Sequence, residues 1–534
     1  MAGFYLASLL GTSNSHIFCR GGVRQPPGLI IDMNTISGNP TCFSFENSYA
    51  TLPERFYVRL NPTPVPNPTL VRINHELAQY LGLDPDYLAS PTGVEILAGN
   101  RVPEGSEPLA MAYAGQQFGR MVPRLGDGRA LLLGEVIDAD GIRWDIQLKG
   151  SGRTPFSRSG DGRAWIGPVL REYLVSEAMA ALNIPTTRAL AAVTTGEKIY
   201  RDRSLPGAVI TRVARSHIRV GTFQYFALRK DVQALKALAD HVIDRHFPDA
   251  KQSTNPYLCL LEYVVAKQAL LIAKWLAVGF IHGVMNTDNT LVSGETIDYG
   301  PCAFMDSYDP EIAYSSIDHR RRYAYQNQPT IGRWNLASFA TTLLPLIDLD
   351  IDKPVEAVEG AVSAFDEQFR KAWSSEFRAK MGLETEKRGD AELAMDLLEH
   401  MAASRADFTL TFRHLSGLTR EASSVNPEAD AAVRDLFGDG ISFDDWVARW
   451  RARLAFEKRD DFARQSAMWA TNPAYIPRNH LIEQVITAAL AGDFGPFEQL
   501  AEVLSRPFDD QPNNAHYQLP PKPEEVVQKT FCGI

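Results

Sequence analysis

Apolar residues follow two different spacings along this chain, one typical of strands and one typical of helices. Residues 130–133 form an apolar run after the turn-forming segment GDGR at 126–129, and residues 144–149 (WDIQLK) alternate polar and apolar side chains. Alternation with a period of two is the pattern of a half-buried strand. It therefore predicts a glycine-turn hairpin whose last strand ends at Lys149.

Helical spacing appears first at 168–182, where it predicts a helix with one apolar stripe facing a sheet. A short helix is predicted at 72–81 and a long buried helix at 260–285, leading into a polar loop. Charged residues interrupt this long segment, which argues against a membrane span. Amphipathic helical segments then continue through the C-terminal region at 355–381, 391–415 and 443–456.

The composition is that of a soluble globular enzyme. The chain has 534 residues, 45% of them hydrophobic and 22% charged, and so exceeds the usual size of one domain. Its net charge of −10 argues against a nucleic-acid partner, which normally requires a basic face. Five cysteines without a CxxC spacing fit a reducing compartment. We expect a cytoplasmic protein; if residues 1–42 are a transit segment, the alternative is a mitochondrial one.

The segment 281–306 carries the most informative polar residues. His282 and Asn289 have the spacing of the kinase catalytic loop H-R-D-x-x-x-x-N, but Val284 stands where that loop has its catalytic Asp. Asp288 lies directly before Asn289, and Asp298 follows at the distance of the second kinase metal ligand. Two β-prone segments flank the turn at 293–295, and they predict a hairpin that aims Asn289 and Asp298 at one point. The alternative is a polar turn with Asx-type hydrogen bonds.

A second group of residues suits a nucleotide phosphate. Lys149 ends the predicted hairpin, and Glu172 on the predicted helix could orient it as an ion-pair partner. Three Gly-x-Gly-Arg tetrads begin at residues 126, 150 and 160, and backbone N–H groups beside glycine can approach an anion closely. The alternative is hairpin turns with arginines in solvent. A third basic group contains Arg212, Arg215 and Arg219.

Long sequence motifs carry a more specific resemblance. They are GDGR at 126–129, IQLKGSGRTPFSRSGDGRA at 146–164, VLREYLVSEAM at 169–179, RSHIRVGTFQ at 215–224, HGVMNTDN at 282–289 and DYGP at 298–301. Over residues 43–534 the chain resembles the selenoprotein O family, also called the YdiU family, whose members are protein adenylyltransferases built on a pseudokinase fold.

The resemblance implies an α+β, protein-kinase-like fold with two lobes, a glycine-rich β N-lobe and a helical C-lobe. Together with the apolar pattern, it divides the chain into five parts. We expect an extension at 1–42, an N-terminal segment at 43–106, an N-lobe-like nucleotide-binding region at 107–255, a catalytic and metal-binding region at 256–352, and a C-terminal helical region with a tail at 353–534.

The resemblance also implies the chemistry. ATP is expected to bind end for end relative to a kinase ligand, so that AMP passes to Ser, Thr or Tyr of a protein and pyrophosphate leaves. Asp288 resembles the base proposed for the family, the alternative being a residue that holds the metal or a water beside it. Glu172 resembles the partner of Lys149, and Asn289 and Asp298 resemble the ligands of Mg²⁺ or Mn²⁺. The residues that resemble the nucleotide-binding set are Gly126, Gly128, Arg129, Lys149, Asp161, Gly162, Arg212 and Arg219.

Other functions remain open at the level of sequence. UTP could replace ATP as donor, Asp288 could serve as a displaced base in an ATP-dependent kinase, or the chain could be a nucleotide-binding pseudokinase scaffold. The expected partners are ATP and proteins with acceptor hydroxyls, with no nucleic acid and no membrane, and the expected state is a monomer.

Overall fold

The computed structural model describes residues 43–348, 354–421, 427–438 and 441–531, and the predicted extension at 1–42 lies outside them. The described residues combine one large antiparallel sheet with many helices, which agrees with the predicted mixture of α and β structure. The strands are β1 Tyr57–Arg59, β2 Thr69–Ile73, β3 Leu109–Met111, β4 Gly115–Gln117, β5 Arg120–Val122, β6 Ala130–Ile137, β7 Arg143–Lys149, β8 Ala164–Trp165, β9 Arg188–Tyr200, β10 Ser204–Ala214, β11 Phe280–Ile281 and β12 Ala303–Phe304.

The large sheet has the order β1-β3-β6-β7-β10-β9-β2, and β8 pairs with β10. The predicted hairpin is β6–β7, in which Ala130 pairs with Lys149. Apolar clusters cover both faces of the sheet. Strand β6 is therefore buried along almost its whole length rather than on alternate residues. The C-terminal end of the neighbouring strand β7, including Lys149, is buried as well.

The helices begin and end as follows: α1 His75–Tyr80, α2 Pro85–Ala89, α3 Pro91–Ala98, α4 Ile166–Ala181, α5 Val220–Ala227, α6 Val232–His246, α7 Pro256–Ala277, α8 Gln328–Ile347, α9 Pro354–Lys380, α10 Asp390–Ser404, α11 Phe408–Leu415, α12 Pro427–Arg434, α13 Ile441–Leu454, α14 Asp461–Trp469, α15 Asn479–Leu490 and α16 Gly495–Ser505. Helix α4 is the helix predicted at 168–182. Its single-stripe prediction was wrong, because β9 covers one side and α15 and α16 cover another, so even Arg171 and Glu172 are buried.

Three predicted helix boundaries were wrong for local reasons. The segment 72–81 is divided between β2 and α1, because the Asn74 side chain accepts the Leu77 N–H and caps α1. The segment 260–285 ends as a helix at Ala277, before Gly279 with φ 71°. The segment 391–415 is two helices, because Arg405 takes a left-handed conformation with φ 56° between α10 and α11.

Helix α7 is, within the described ranges, the one helix that is long and apolar enough to cross a membrane by length and composition. Of its most apolar window, 56% is buried inside the protein. It packs against α8 and α9, and its buried residues belong to the largest apolar cluster. The environment of α7 is thus that of a core helix.

Candidate active site

A cavity of about 650 Å³ opens where the glycine-rich loops meet the end of β7, the end of β10 and the segment 288–298. Its volume falls in the range of small-molecule sites. Glu172 lies behind the wall and reaches the cavity through its partners. The other predicted site residues all line the cavity: Gly126, Gly128, Arg129, Lys149, Asp161, Gly162, Arg212, Arg219, Asp288, Asn289 and Asp298.

Glu172 holds two cations at the inner wall. Lys149 Nζ lies 2.5 Å from Glu172 Oε2, and Arg212 donates from both Nε and Nη2 to Glu172 Oε1, the Nε distance being 2.7 Å. All three side chains are buried. Burial alone would raise the pKa of Glu172, but the charges of Arg212 and Lys149 outweigh it and lower that pKa. Arg212 is therefore ion-paired with Glu172 where it lines the cavity, a pairing that sequence spacing did not indicate.

Asp298 faces the same cations. Its Oδ1 lies 3.7 Å from Lys149 Nζ and is buried without a hydrogen bond within the described chain. Burial would raise the pKa of Asp298, yet the charges of Lys149, Arg212 and Arg129 lower it to about 2. The residue has φ 67°, an uncommon conformation for a residue with a side chain. Asp298 is therefore an anion at neutral pH, with an unsatisfied oxygen beside the cavity.

Asp288 and Asn289 lie in a single 3₁₀ turn, Thr287–Asn289. Asn289 Nδ2 donates to the Val284 carbonyl at 3.2 Å, so the amide uses its nitrogen and not its oxygen in that bond. Asp288 Oδ2 accepts from Gln117 Nε2 at 3.0 Å, whereas Asp288 Oδ1 is buried without a hydrogen bond in the described structure. Burial raises the pKa of Asp288 to about 6.

The hairpin predicted around the turn at 293–295 was wrong. Its two halves do not pair with each other: Leu291 bridges Arg219, and Thr296 bridges Thr186. The Gln268 side chain also donates to the Leu291 carbonyl at 2.8 Å. Asn289 and Asp298 are thus brought to one cavity by bridges to other parts of the fold.

Arg219 is the residue directly before α5, and its side chain lines the cavity. Its guanidinium lies over the Tyr113 ring at 4.3 Å from the ring centroid, and its Nη1 donates to the His217 carbonyl at 3.0 Å. Its Nη1 is also 3.7 Å from Asp127 Oδ1. Arg215 does not line the cavity and lies over the Trp144 ring instead. Of the three arginines predicted as one basic group, Arg212 and Arg219 thus line the cavity and Arg215 does not.

The glycine-rich loops pack against each other. A Cβ on Gly126 would lie 2.4 Å from the Phe156 ring, and a Cβ on Gly162 would lie 2.1 Å from the Gly152 carbonyl oxygen. These glycines are thus required by chain packing as well as by any approach of a phosphate. Asp161 lies at the rim, where it accepts from Arg201 at 2.7 Å and from the backbone N–H of Arg163.

Sequence reasoning missed Gln117 and Tyr113, which also line the cavity. Gln117 belongs to the short β4–β5 hairpin and lies 171 residues from its partner Asp288, and Tyr113 precedes that hairpin. Neither residue stands in a motif with a local chemical signal. Their place in the site follows only from the packing of the folded chain, which brings them next to residues distant in sequence.

The donor set fits a divalent cation with oxygen ligands. Asn289 and Asp298 supply an amide and a carboxylate, and Asp298 Oδ1 is a buried acceptor without a donor in the described residues. The described ranges contain no group of three or more His, Cys, Asp or Glu side chains placed to bind a metal. A two-residue set suits Mg²⁺, which keeps water and phosphate oxygens in its coordination shell.

Comparison with known proteins places these residues in a family context. The family model described as protein adenylyltransferase SelO matches residues 41–505. A Rhodopseudomonas palustris protein named protein nucleotidyltransferase YdiU is 60% identical over 492 residues, 92% of this chain and 99% of that protein. Proteins of the same name are 59% identical over 492 residues in a Bradyrhizobium species (92% and 99% covered) and 55% identical over 509 residues in Nitrobacter hamburgensis (95% and 100% covered).

Proposed function

The chain belongs to the protein adenylyltransferase SelO family, and from this premise we propose that it transfers AMP from ATP to Ser, Thr or Tyr hydroxyls of proteins and releases pyrophosphate. The large sheet with α4 would form the N-lobe of a kinase-like fold, and the helices from α7 onward would form the C-lobe. The cavity would hold ATP between them. An overall match of this extent supports the family's reaction class more strongly than fold alone would.

One observation carries the proposal: Asp288 is among the carboxylates that line the cavity, whereas the position of a kinase base is occupied by Val284. Val284 is buried and cannot accept a proton. A protein kinase uses an Asp at the Val284 position to accept the substrate proton in γ-phosphate transfer, so the absence of that Asp favours transfer of a different phosphate. Asp288 is held on one oxygen by Gln117 and has no hydrogen bond on the other within the described chain.

In the proposed reaction, the acceptor oxygen forms a bond to the α-phosphorus. The bond from that phosphorus to the bridging oxygen of pyrophosphate breaks, and the hydroxyl proton passes to the Asp288 carboxylate. Lys149, Arg212 and Arg219 line the cavity and would stabilise the charge that develops on the leaving pyrophosphate. Glu172 keeps Lys149 and Arg212 in place.

Asn289 and Asp298 would hold Mg²⁺ or Mn²⁺, which when bound neutralises phosphate charge and orients the phosphate oxygens. Asp298 is suited to this role because neighbouring cations keep its carboxyl ionised at neutral pH. Asn289 is suited because its amide nitrogen is engaged by the Val284 carbonyl, which directs the oxygen to other partners.

The test is incubation with ATP labelled on either the α- or the γ-phosphate, followed by denaturing electrophoresis. Label from the α-phosphate should appear on acceptor protein or on the enzyme, with release of pyrophosphate, and γ-label should not. Asp288→Asn should lower transfer about 10²- to 10⁴-fold, while Asp244→Asn, at an exposed ion pair, serves as the matched control. Label from γ-ATP alone would show a kinase, and bound nucleotide without label would show a scaffold.

A further inference from the structure

Four arginines lie on two segments that meet near the turn carrying Asp288, and we call them the arginine rim: Arg120, Arg320, Arg321 and Arg322. Arg120 begins β5, and the other three are consecutive in the loop before α8. The two segments are in contact at the hairpin tip. The Phe118 and Tyr323 rings lie 5.2 Å apart, and a Cβ on Gly119 would lie 3.8 Å from the guanidinium carbon of Arg322.

The arginine rim is joined to the catalytic turn by hydrogen bonds. Asn286, two residues before Asp288, accepts at Oδ1 from the Phe118 N–H at 3.1 Å and from the Tyr323 hydroxyl at 2.6 Å. Gln117, on the same hairpin as Arg120, donates to Asp288. The segments that carry the rim arginines are therefore hydrogen-bonded to Asp288 and to the turn that contains it, while the arginines themselves lie outside the cavity lining.

The positive charge of the arginine rim is not compensated locally. Arg120, Arg320 and Arg321 are exposed, and none of the four rim arginines forms an ion pair with a carboxylate in the described residues. Asp318, the nearest acid in the same loop, is buried and accepts the backbone N–H groups of Arg322 and Tyr323 at 2.9 and 2.8 Å.

ATP does not require these arginines, because the cavity already contains its own cations in Lys149, Arg129, Arg212 and Arg219. We propose that the arginine rim binds acidic residues that flank the acceptor hydroxyl in the protein substrate, an inference that rests on the proposed adenylyl transfer. Arginine pairs well with carboxylates, and several like charges on one surface near a site attract an oppositely charged partner. The substrate class is thus a protein segment rich in Asp and Glu around Ser, Thr or Tyr.

The test uses two unstructured peptides with Ser, Thr and Tyr at the same positions, flanked by Asp and Glu in one and by Lys and Arg in the other. Transfer from α-labelled ATP should favour the acidic peptide at least about tenfold at low salt, since steering of this kind raises association rates by that order. The preference should decline as ionic strength rises, because added salt screens exposed charges. Labelling of the enzyme itself is recorded in the same reactions.

Charge reversal tests direct contact. The double variant Arg120→Glu with Arg321→Glu should lose the acidic preference and favour the basic peptide, whereas Arg388→Glu, an exposed arginine in the C-terminal region, should keep the original preference. The ratio between peptides does not depend on the fraction of folded enzyme. Equal labelling of both peptides, or labelling of the enzyme but neither peptide, would overturn the rim proposal alone.

Two other outcomes have equally definite meanings. Absence of α-label from the peptides and from the enzyme would overturn the adenylyl transfer and the rim proposal together. Loss of RNA oligonucleotide binding in the double variant, with an unchanged peptide preference, would assign the arginine rim to nucleic acid and reject an acidic protein partner.

Discussion

Gly115 lies so close to Asp288 that a Cβ at this glycine would come within 2.2 Å of Asp288 Oδ1. Two residues later, Gln117 donates to the other oxygen of the same carboxylate. Backbone contact on one side and an amide on the other thus hold the proposed base. The β4–β5 hairpin is therefore a supporting element of the site and not a surface decoration.

We predict that Gly115→Ala lowers adenylyl transfer at least about tenfold, because a displacement of the base by a fraction of an ångström is costly to proton transfer. Nucleotide affinity should change little, since the phosphate-facing cations do not contact Gly115. Steady-state kinetics separates the two effects. Gly360→Ala is the control, because a Cβ there meets nothing within 4 Å. Full activity of Gly115→Ala would show that Asp288 moves freely or is not the base.

Lys149→Met should lower the turnover rate at least about 100-fold, because a positioned cation is lost from a site where charge develops. The fold should survive, since Arg212 still pairs with Glu172 in the variant. Glu172→Gln should instead destabilise the protein by about 3–5 kcal/mol, because two buried cations lose their partner. The measurements are the turnover rate and the thermal unfolding of both variants, each compared with wild type. Lys236→Met, which affects an exposed ion pair, is the control. Normal turnover in Lys149→Met would show that Lys149 has no role in catalysis.

Asp298→Asn keeps the side-chain shape and removes the charge. We expect the affinity for Mg²⁺ to decrease more than about 100-fold, beyond the effect usual for residues that only support a ligand. The measurement is calorimetric titration of Mg²⁺ into enzyme saturated with a non-hydrolysable ATP analogue, so the readout does not depend on turnover. Asp240→Asn, which affects an exposed ion pair with Lys236, is the control. Unchanged Mg²⁺ affinity would contradict the assignment of Asp298 as a ligand.

We predict that Glu295, which lies outside the cavity lining, makes the stability of the protein depend on pH. Burial raises its pKa to about 7 despite hydrogen bonds from Ser293 and from the backbone N–H of Arg215. The folded state therefore binds the proton more tightly than the unfolded state, in which the pKa is near 4.5. Protonation of Glu295 therefore stabilises the folded state. This contribution is complete below pH 4.5 and is lost as the pH rises through about 7.

The measurement compares wild type with Glu295→Gln by chemical unfolding at acidic and mildly alkaline pH. The wild-type free energy of unfolding should decline relative to the variant by as much as about 3 kcal/mol across this window. Other titrations cancel in the difference between the two proteins. A difference that is constant with pH, or one that grows in the opposite direction, would mean that Glu295 does not have a raised pKa.

The sequence by itself determined those parts of the site that depend on neighbouring residues. The alternation at 144–149 located Lys149 at the end of a strand, helical spacing located Glu172 on a helix, and the interval from Asn289 to Asp298 indicated a pair of oxygen donors. These features follow from side-chain direction along a strand or a helix, which repeats within a few residues. Long motifs added the family resemblance, which the comparisons bear out.

Only the tertiary structure decided which distant residues meet. Arg212 pairs with Glu172 because β10 lies beside β7 in the sheet, and the segments predicted as a hairpin near residue 294 bridge Arg219 and Thr186 instead. Gln117 reaches Asp288 from 171 residues away. The physical reason is that local spacing specifies the direction of a side chain but not its partner, which depends on the packing of whole elements against one another.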